Sequence, residues 1–335
     1  MASDNRKTLK TKTYYLWVGL FFVLLTGLIG FLYYSTAKID YVWRWHRVPR
    51  YFVYENNVEI KSEIEGTVHK ISIKNGKAVI LIKNEATGES YDIYPENIMV
   101  SQGDYVYMGD VLSTHKQWET GLLLKGLWLT LKVSVIAIIL GTILGLFGGI
   151  ARVSSNPALK WASATYVETI RGSPLLVQIF IWYFVLGTLI NNILAQYSIN
   201  PLPPLWYGIA SLACFAGAYV AEIVRAGIQS IHRGQSEAAR SLGMTYSQAM
   251  RHVILPQAIL RILPPLAGQF ISLIKDSSLL GIIAIRELTK ATREAVTSSL
   301  QPFELWFSCA ILYLVLTFSL SLIVQYMERR MLVND

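Results

Sequence analysis

The sequence predicts an α-helical membrane protein with six transmembrane helices and a small all-β domain between the first two. Three observations predict this fold class. Of 335 residues, 53% are hydrophobic and 16% are charged, which is too apolar for a soluble domain of this length. Six apolar runs are long enough to cross a hydrocarbon core of about 30 Å. Between the first two runs the apolar residues recur with a period of two, which is typical of strands.

The first apolar run, "YYLWVGLFFVLLTGLIGFLYY" from Tyr14 to Tyr34, contains no charge, has aromatic pairs at both ends and follows a basic tail. A secretory signal has an apolar core of only about 7 to 15 residues, so this run predicts a retained membrane anchor. The other five predicted spans are Leu127–Ile150, Pro174–Ile190, Leu205–Ile228, Ile262–Ile285 and Leu305–Tyr326.

Lysines and arginines in short connections predict the orientation, because they collect on the cytoplasmic side of a membrane. The N-terminal tail carries four of them, whereas the loop 191–204 carries none. One segment departs from the pattern, since Arg286, Lys290 and Arg293 would lie outside. Topology thus explains the net charge of +8 better than a nucleic-acid-binding face does. We expect a multi-pass protein of the cytoplasmic (inner) membrane with both termini in the cytoplasm.

Residues 41–118 predict a small β domain, which this topology places outside the cytoplasm. "VEIKSEIEGTVHKISI" alternates apolar and polar side chains, "AVILIK" and "ESYDIY" continue as strands, and Asn75-Gly76 is a hairpin turn signal. "EGTVHKISIKNG" and "SQGDYVYMGDVLS" resemble the two halves of a lipoyl-like barrel-sandwich fold, but the lysine between two methionines that carries a swinging-arm cofactor is missing. Both a folded spacer and a docking site for an external partner remain open.

A predicted cytoplasmic connection contains the most specific motif, "EAARSLGMTYSQAMRHVILP" at 237–256. Its spacing resembles the loop signature of permeases of ATP-binding-cassette (ABC) importers, which usually have isoleucine where Val253 stands. The resemblance implies a coupling helix at about 237–252 that docks into a cleft of an ATPase subunit. The motif residues are Glu237, Ala238, Ala239, Gly243, Leu255 and Pro256. An ordinary solvated loop is the alternative.

The residue types suit this coupling role. The two alanines allow close approach, Glu237 is expected near the positive N-terminus of the helix, and Gly243 permits the chain to turn out of it. Pro256 is expected to open the next helix, because it needs no hydrogen-bond donor there.

Three further segments narrow the resemblance to permeases for polar amino acids such as histidine, glutamine, glutamate and arginine. They are "RGSPLLVQIF", "GAYVAEIVRAGIQSIHRGQSEAARSLGM" and "IKDSSL". The resemblance covers residues 119–335 and implies the five-helix core of a type I ABC importer permease. Residues 1–40, the tail and first helix, and the β domain at 41–118 are additions to that core. It also implies a second permease chain, identical or paralogous, an ATPase subunit that binds ATP and Mg, and an extracytoplasmic amino-acid-binding protein.

Ionisable residues within spans are costly in lipid and are candidates for a substrate path. Lys275 and Asp276 are expected near the middle of the fifth span, beyond the helix-breaking Pro264-Pro265 and beside Ser277. Together they could complement the carboxylate and ammonium groups of an amino acid. The alternative is that they neutralise other buried charges.

Glu222 and Arg225 are three residues apart on one helical face, where a self-satisfied ion pair is the simpler interpretation. Gln178, Tyr183 and Tyr219 complete the path candidates, with hydrogen bonding between helices as the alternative. At the start of the third span, Ser173 before Pro174 is expected to cap the helix.

The sequence contains no G-x-x-x-x-G-K-[ST] phosphate loop, no H-E-x-x-H motif and no G-x-S-x-G elbow. Its two cysteines, Cys214 and Cys309, lie within apolar runs. We therefore expect a transport subunit rather than an enzyme, with no metal site and no cofactor of its own. An ion-coupled carrier with Lys275, Asp276 and Glu222 as a relay remains open, and so does a membrane-anchored scaffold or sensor.

Overall fold

The computed structural model describes residues 2–74, 77–84 and 88–332, and the chain divides into two compact units, Met1–His46 and Arg47–Asp335. The first unit contains helix α1, Ala2–Lys38, in which Thr13–Lys38 is long and apolar enough to cross a membrane. Beyond the helix, Trp43 stacks on Trp45 with ring centroids 5.8 Å apart, and its Nε1 donates to Thr36 Oγ1 at 3.3 Å. The end of this helix is therefore closed by aromatic side chains.

A 3-10 segment, Trp45–Tyr51, leads into the β structure. The strands are β1 Val53–Lys61, β2 Gly66–Lys74, β3 Lys77–Lys83, β4 Gly88–Ile93, β5 Tyr105–Val106 and β6 Val111–Thr120. Strands β1 and β6 form an antiparallel ribbon, and the other four form a sheet in the order β4-β3-β2-β5. Alternating side chains such as Val68, Ile80 and Ile82 meet in a buried core. The predicted turn at Asn75-Gly76 lies outside the described residues.

The ribbon is anchored where it joins the helices. The Gly121 amide donates to the Phe52 carbonyl at 2.6 Å, and a Cβ on Gly121 would lie 2.3 Å from the Tyr51 carbonyl oxygen. No side chain fits there. Glycine at this position therefore allows the start of β1 and the end of β6 to lie next to each other where the ribbon joins the helices. The Tyr51 side chain is buried in a cluster with Leu123 and Leu288.

In the part of the chain that the structure describes, ten α-helices follow the strands. They are α2 Leu122–Val153, α3 Pro157–Arg171, α4 Leu175–Phe180, α5 Thr188–Gln196, α6 Pro204–Gln229, α7 Arg233–Ser241, α8 Tyr246–Ala249, α9 Leu255–Asp276, α10 Leu288–Ser299 and α11 Pro302–Leu332. A π-helical turn joins α4 to α5, another joins α8 to α9, and a 3-10 segment, Ser277–Ile283, follows α9.

Within the described chain, six helical runs are long and apolar enough to span a membrane, which agrees with the predicted number. They are Thr13–Lys38, Leu122–Val153, Leu175–Gln196, Pro204–Gln229, Tyr246–Ile283 and Pro302–Tyr326. Helices α3 and α10 lie in segments that the sequence analysis treated as connections. In the second of these, Glu294 pairs with Arg286 at 2.8 Å and with Lys290 at 3.7 Å, so part of the positive charge that departs from the predicted topology is neutralised locally.

The fifth run differs most from its prediction. It starts at Tyr246, where Thr245 and Gln248 form a reciprocal capping box, instead of at Ile262. Pro256 lies in the first turn of α9, as predicted, but α9 does not start the span, because the π-helical turn Met250–Ile254 joins it to α8. A π turn has a wider hydrogen-bond spacing, so a residue without an N–H is accommodated there.

Pro264 and Pro265 were expected to break the fifth helix, but α9 continues through both. In membrane helices the carbonyl groups that proline leaves unpaired are satisfied by local adjustment and by neighbouring helices. As a consequence, Lys275 and Asp276 lie near the C-terminal end of the run Tyr246–Ile283 and not near its middle.

The centre of the bundle is the contact between α2 and α6, and 67% of the apolar window of α6 is buried. Glycines at every fourth position of α2, namely Gly141, Gly145 and Gly149, face α6. A Cβ on Gly145 would lie 2.4 Å from Val220 Cβ, and one on Gly149 would lie 2.5 Å from Val224 Cβ. Small residues at this spacing let two membrane helices pack backbone to backbone.

Candidate functional site

The motif at 237–256 is divided between helix α7 and the start of the fifth run. Helix α7 begins at Arg233, and the Nδ1 atom of His232 caps it by accepting from the Gly234 amide at 3.2 Å. Glu237 therefore lies in the middle of the helix. The expectation that it lies near the N-terminus is wrong, because the histidine cap starts the helix four residues earlier.

Gly243 ends the helix in a left-handed conformation, with φ of +81°. Its amide donates to the Arg240 carbonyl at 2.9 Å, and the Met244 amide donates to the Ala239 carbonyl at 3.2 Å, which is a Schellman motif. Among the described residues other than Gly243 and its two sequence neighbours, no atom lies within 4 Å of a Cβ built on Gly243. The chain thus turns sharply at Gly243, and the space where a side chain would project is unoccupied.

The motif residues point in two directions. Ala239 is buried, and Leu255 packs against the buried cluster around Val224 and Ile254. Glu237 and Ala238 are exposed beside Gly243, and so is Pro256. Leu242, which the sequence analysis missed, is 81% exposed between them. We call Glu237, Ala238, Leu242 and Gly243 the α7 surface.

Glu222 and Arg225 belong to a network at the C-terminal ends of α2 and α6. Arg225 Nε donates to Glu222 Oε2 at 3.0 Å, and its other nitrogens bond Glu222 and Gln229. Arg152 approaches the same Glu222 at 3.7 Å and donates to Glu168 at 2.8 Å. Glu222 is therefore held by two arginines, and the network connects α2, α3 and α6.

Gln178 closes the turn between α3 and α4. Its Nε2 donates to the Ile170 carbonyl at 2.7 Å and to Ser173 Oγ at 2.9 Å. Ser173 does not cap α4 as expected, because its hydroxyl donates back to the Thr169 carbonyl at 3.0 Å. Gln178 thus ties α4 to the C-terminal end of α3 and to the turn between them.

The two tyrosine candidates lie in aromatic contacts. The ring of Tyr183 lies 6.5 Å from that of Tyr207, and Tyr219 packs on Phe215 at 4.8 Å. The Arg171 guanidinium stands 5.3 Å from the Tyr219 ring centroid, within range of a cation–π interaction. Tyr219 therefore brings the basic end of α3 against α6.

Lys275 and Asp276 differ from the other charged candidates. Lys275 is exposed and Asp276 is half-buried, and neither side chain forms a hydrogen bond or ion pair with any described residue. The neighbouring Ser277 is buried, and its hydroxyl donates to the Ile274 carbonyl at 2.7 Å. Two opposite charges thus remain available at the transition from α9 to the 3-10 segment. No group of three His, Cys, Asp or Glu residues suited to a metal occurs in the described chain.

Glu287, which is not among the predicted site residues, is fully buried. It caps α10 by accepting from the Thr289 and Lys290 amides at 2.8 and 2.7 Å, and Tyr313 donates its hydroxyl to it at 3.1 Å. Burial raises the pKa of Glu287, and these hydrogen bonds oppose the rise. Only its place before a polar helix signals this role in the sequence.

Glu287→Ala should lower the free energy of unfolding by about 2 kcal/mol, because two buried amides at the start of α10 lose their acceptor. Glu287→Gln retains an oxygen and should cost about half as much. Thermal unfolding in detergent measures both, with Glu294→Ala, which removes a partly exposed carboxylate and its two ion pairs but no helix cap, as the control. Equal effects of the Ala and Gln variants would contradict the capping role.

The helical part of the chain matches a known protein family and is similar to curated proteins of that kind. Residues 137–333 match the family model described as "Binding-protein-dependent transport system inner membrane component". The probable glutamine ABC transporter permease protein GlnM of Bacillus subtilis (strain 168) is 41% identical over 211 residues, which are 62% of this chain and 92% of that protein. The glutamine transport system permease protein GlnP of Escherichia coli (strain K12) is 36% identical over 210 residues, which are 63% of this chain and 93% of that protein.

Solved structures show the same similarity. The crystal structure of an amino acid ABC transporter with histidines aligns with a TM-score of 0.55 and 41% identity, over 62% of this chain and 94% of that one. An inward-facing structure of the MetNI methionine ABC transporter aligns with a TM-score of 0.54 over 63% of this chain and 96% of that one. Its identity is 20%, so this second likeness concerns the fold.

Proposed function

Because the chain belongs to the family of binding-protein-dependent transport system inner membrane components and is an ABC importer permease subunit, we propose that it imports a polar amino acid with energy from a separate ATPase. Relatives named as glutamine permeases, at 36% and 41% identity, support this substrate class. The observation that carries the ATPase partner is the exposed α7 surface at a glycine turn beside the bundle.

The geometry of α2 supports the proposed orientation. This helix has 32 residues and is therefore about 48 Å long. The β1–β6 ribbon adjoins its N-terminal end, whereas its C-terminal residues Arg152 and Val153 border the same cavity as α7. The two features thus lie at opposite ends of a membrane-spanning helix. With α7 in the cytoplasm, the β structure is outside, where it is available to a solute-binding protein.

Helix α7 is connected by direct contacts to the helical run that carries Lys275 and Asp276. Helix α7 packs against the π-helical turn Met250–Ile254, and Arg261 of α9 donates to the Ser230 carbonyl at 2.6 Å, just before α7. A displacement of α7 by the ATPases would therefore act on the whole run Tyr246–Ile283. Lys275 and Asp276 lie near its far end, so closure of the ATPases would change the access to these charges from one side of the membrane to the other.

Two copies of the chain, or this chain and a paralogue, would enclose the pathway, and two ATPase subunits would bind the two α7 surfaces. ATP and Mg²⁺ would be bound by the ATPase subunits, since this sequence contains no phosphate loop. Lys275 would meet the substrate carboxylate, and Asp276 would meet the substrate ammonium group.

Lys275→Met and Asp276→Asn should each lower ATP-driven uptake of the amino acid by about tenfold or more, because each variant would leave one charged group of the bound substrate without its partner, at a cost of about 2 kcal/mol or more. Uptake of labelled glutamine, glutamate, histidine and arginine into proteoliposomes measures this, with Lys132→Met on α2 as the matched control. Uptake equal to wild type in both variants would remove this pair from the substrate path.

A further inference from the structure

A cavity of about 680 Å³ lies at the end of the bundle that carries α7. Its walls come from the end of α2, the start of α3, the end of α6 and both helices of the 237–256 motif. The charged and histidine side chains on these walls are Arg152, Lys160, His232, Arg233 and Arg240. None of the residues that line it is an aspartate or glutamate. The cavity lining thus contains basic side chains and no carboxylate.

Two nitrogens among these side chains are well suited to bind an anion. Arg152 uses Nη2 for Glu168 and Nε for Glu222, whereas its Nη1 is buried without a hydrogen-bond partner. His232 uses Nδ1 to accept from the Gly234 amide, so a neutral imidazole carries its proton on Nε2, which remains a donor. A buried donor without an acceptor is costly, so an anion in this cavity would relieve that cost.

The surroundings indicate which anion the cavity takes. Its other walls include apolar residues, namely Ile228, Ile231, Met250 and Ile254. On α3, Lys160 stands between exposed Leu159 and Trp161, and the Trp161 side chain is 74% exposed. Tryptophan is enriched at membrane interfaces, and basic pockets between helices on the cytoplasmic side bind acidic lipid headgroups.

We propose that this cavity binds the phosphodiester headgroup of an anionic phospholipid. The placement on the cytoplasmic side of the membrane rests on the proposed function. Such a headgroup would bridge Arg152 and Lys160, on the helices of the bundle, to Arg233 and Arg240 on α7. Because α7 is the proposed contact for the ATPase, the lipid would hold this helix in position, and ATP-driven transport would depend on acidic lipid.

The test uses the complete transporter in nanodiscs, with dioleoylphosphatidylglycerol titrated against a phosphatidylcholine background and bound lipid measured by native mass spectrometry. Lys160→Gln and Arg233→Gln should each weaken phosphatidylglycerol binding about fivefold, the usual effect of one basic residue near an acidic lipid. Arg251→Gln also removes one charge close to α7 but lies outside the cavity, and it should bind as wild type does.

Equal binding by the wild-type transporter and both cavity variants would overturn the proposal. A second arm adds inorganic phosphate at millimolar concentration, and displacement of phosphatidylglycerol by free phosphate would overturn the assignment to lipid. The same spectra report whether the ATPase is attached. Its absence from the wild-type complex would argue against the proposed function, whereas unchanged lipid binding in a complex that retains the ATPase would overturn only the lipid site.

Discussion

Gly243→Trp should abolish ATP-driven uptake and attachment of the ATPase while the chain remains folded in the membrane. The φ of +81° at this position costs a non-glycine residue about 1–2 kcal/mol, which is too little to unfold the bundle. Apart from Gly243 and its two sequence neighbours, no atom of the described residues lies within 4 Å of the new Cβ, so the indole would project from the α7 surface. The measurement is the amount of ATPase recovered with the tagged chain, together with uptake.

Gly243→Asn is the matched control, because asparagine tolerates the left-handed conformation and adds little volume. It should retain most of the ATPase and of the uptake. Full attachment and full uptake in Gly243→Trp would show that the α7 surface is not where the ATPase docks.

Gly145→Leu should prevent the chain from folding stably. The Cβ alone would stand 2.4 Å from Val220 Cβ and 2.9 Å from the Gly217 carbonyl oxygen. Both contacts lie on α6, the most buried span, so neither helix can move aside without loss of the central packing. Even Gly145→Ala should cost about 1–3 kcal/mol, the usual range for an overpacked interior. The measurement is the yield of monodisperse protein in detergent and its melting temperature.

The comparison variant for the glycine prediction is Gly268→Leu on α9, where a Cβ would meet no atom within 4 Å. It should leave the yield and melting temperature of the chain close to those of the wild type. If the Gly145 and Gly268 variants lose similar amounts of yield and melting temperature, the packing of α2 on α6 does not depend on close contact at Gly145.

The number of helices could be predicted because bilayer thickness demands long apolar runs, and these are visible in composition alone. The start of the fifth run at Tyr246 could not be predicted, because a π-helical turn joins α8 to α9 and nothing local in "MRHVILP" signals it. Strands such as β3 were predictable from alternation, because Ala78, Ile80 and Ile82 are buried on one face.

The site was only partly predictable. Ala238 and Ala239 are neighbouring alanines, yet Ala238 is exposed and Ala239 is buried. The His232 cap fixes where α7 starts, and this determines which of its side chains face the bundle. Glu287 and the unpaired Nη1 of Arg152 depend on contacts with distant helices. Burial of this kind arises from tertiary packing, so no spacing rule predicts it.

The central claim is that this chain moves an amino acid with energy from ATP. The most direct measurement is uptake of labelled glutamine into proteoliposomes that contain the native complex and its external binding protein, with ATP and Mg²⁺ supplied on the ATPase side. We expect accumulation that requires ATP and persists when ionophores collapse every ion gradient. Accumulation that continues without ATP and stops with the ionophores would contradict the account and favour an ion-coupled carrier.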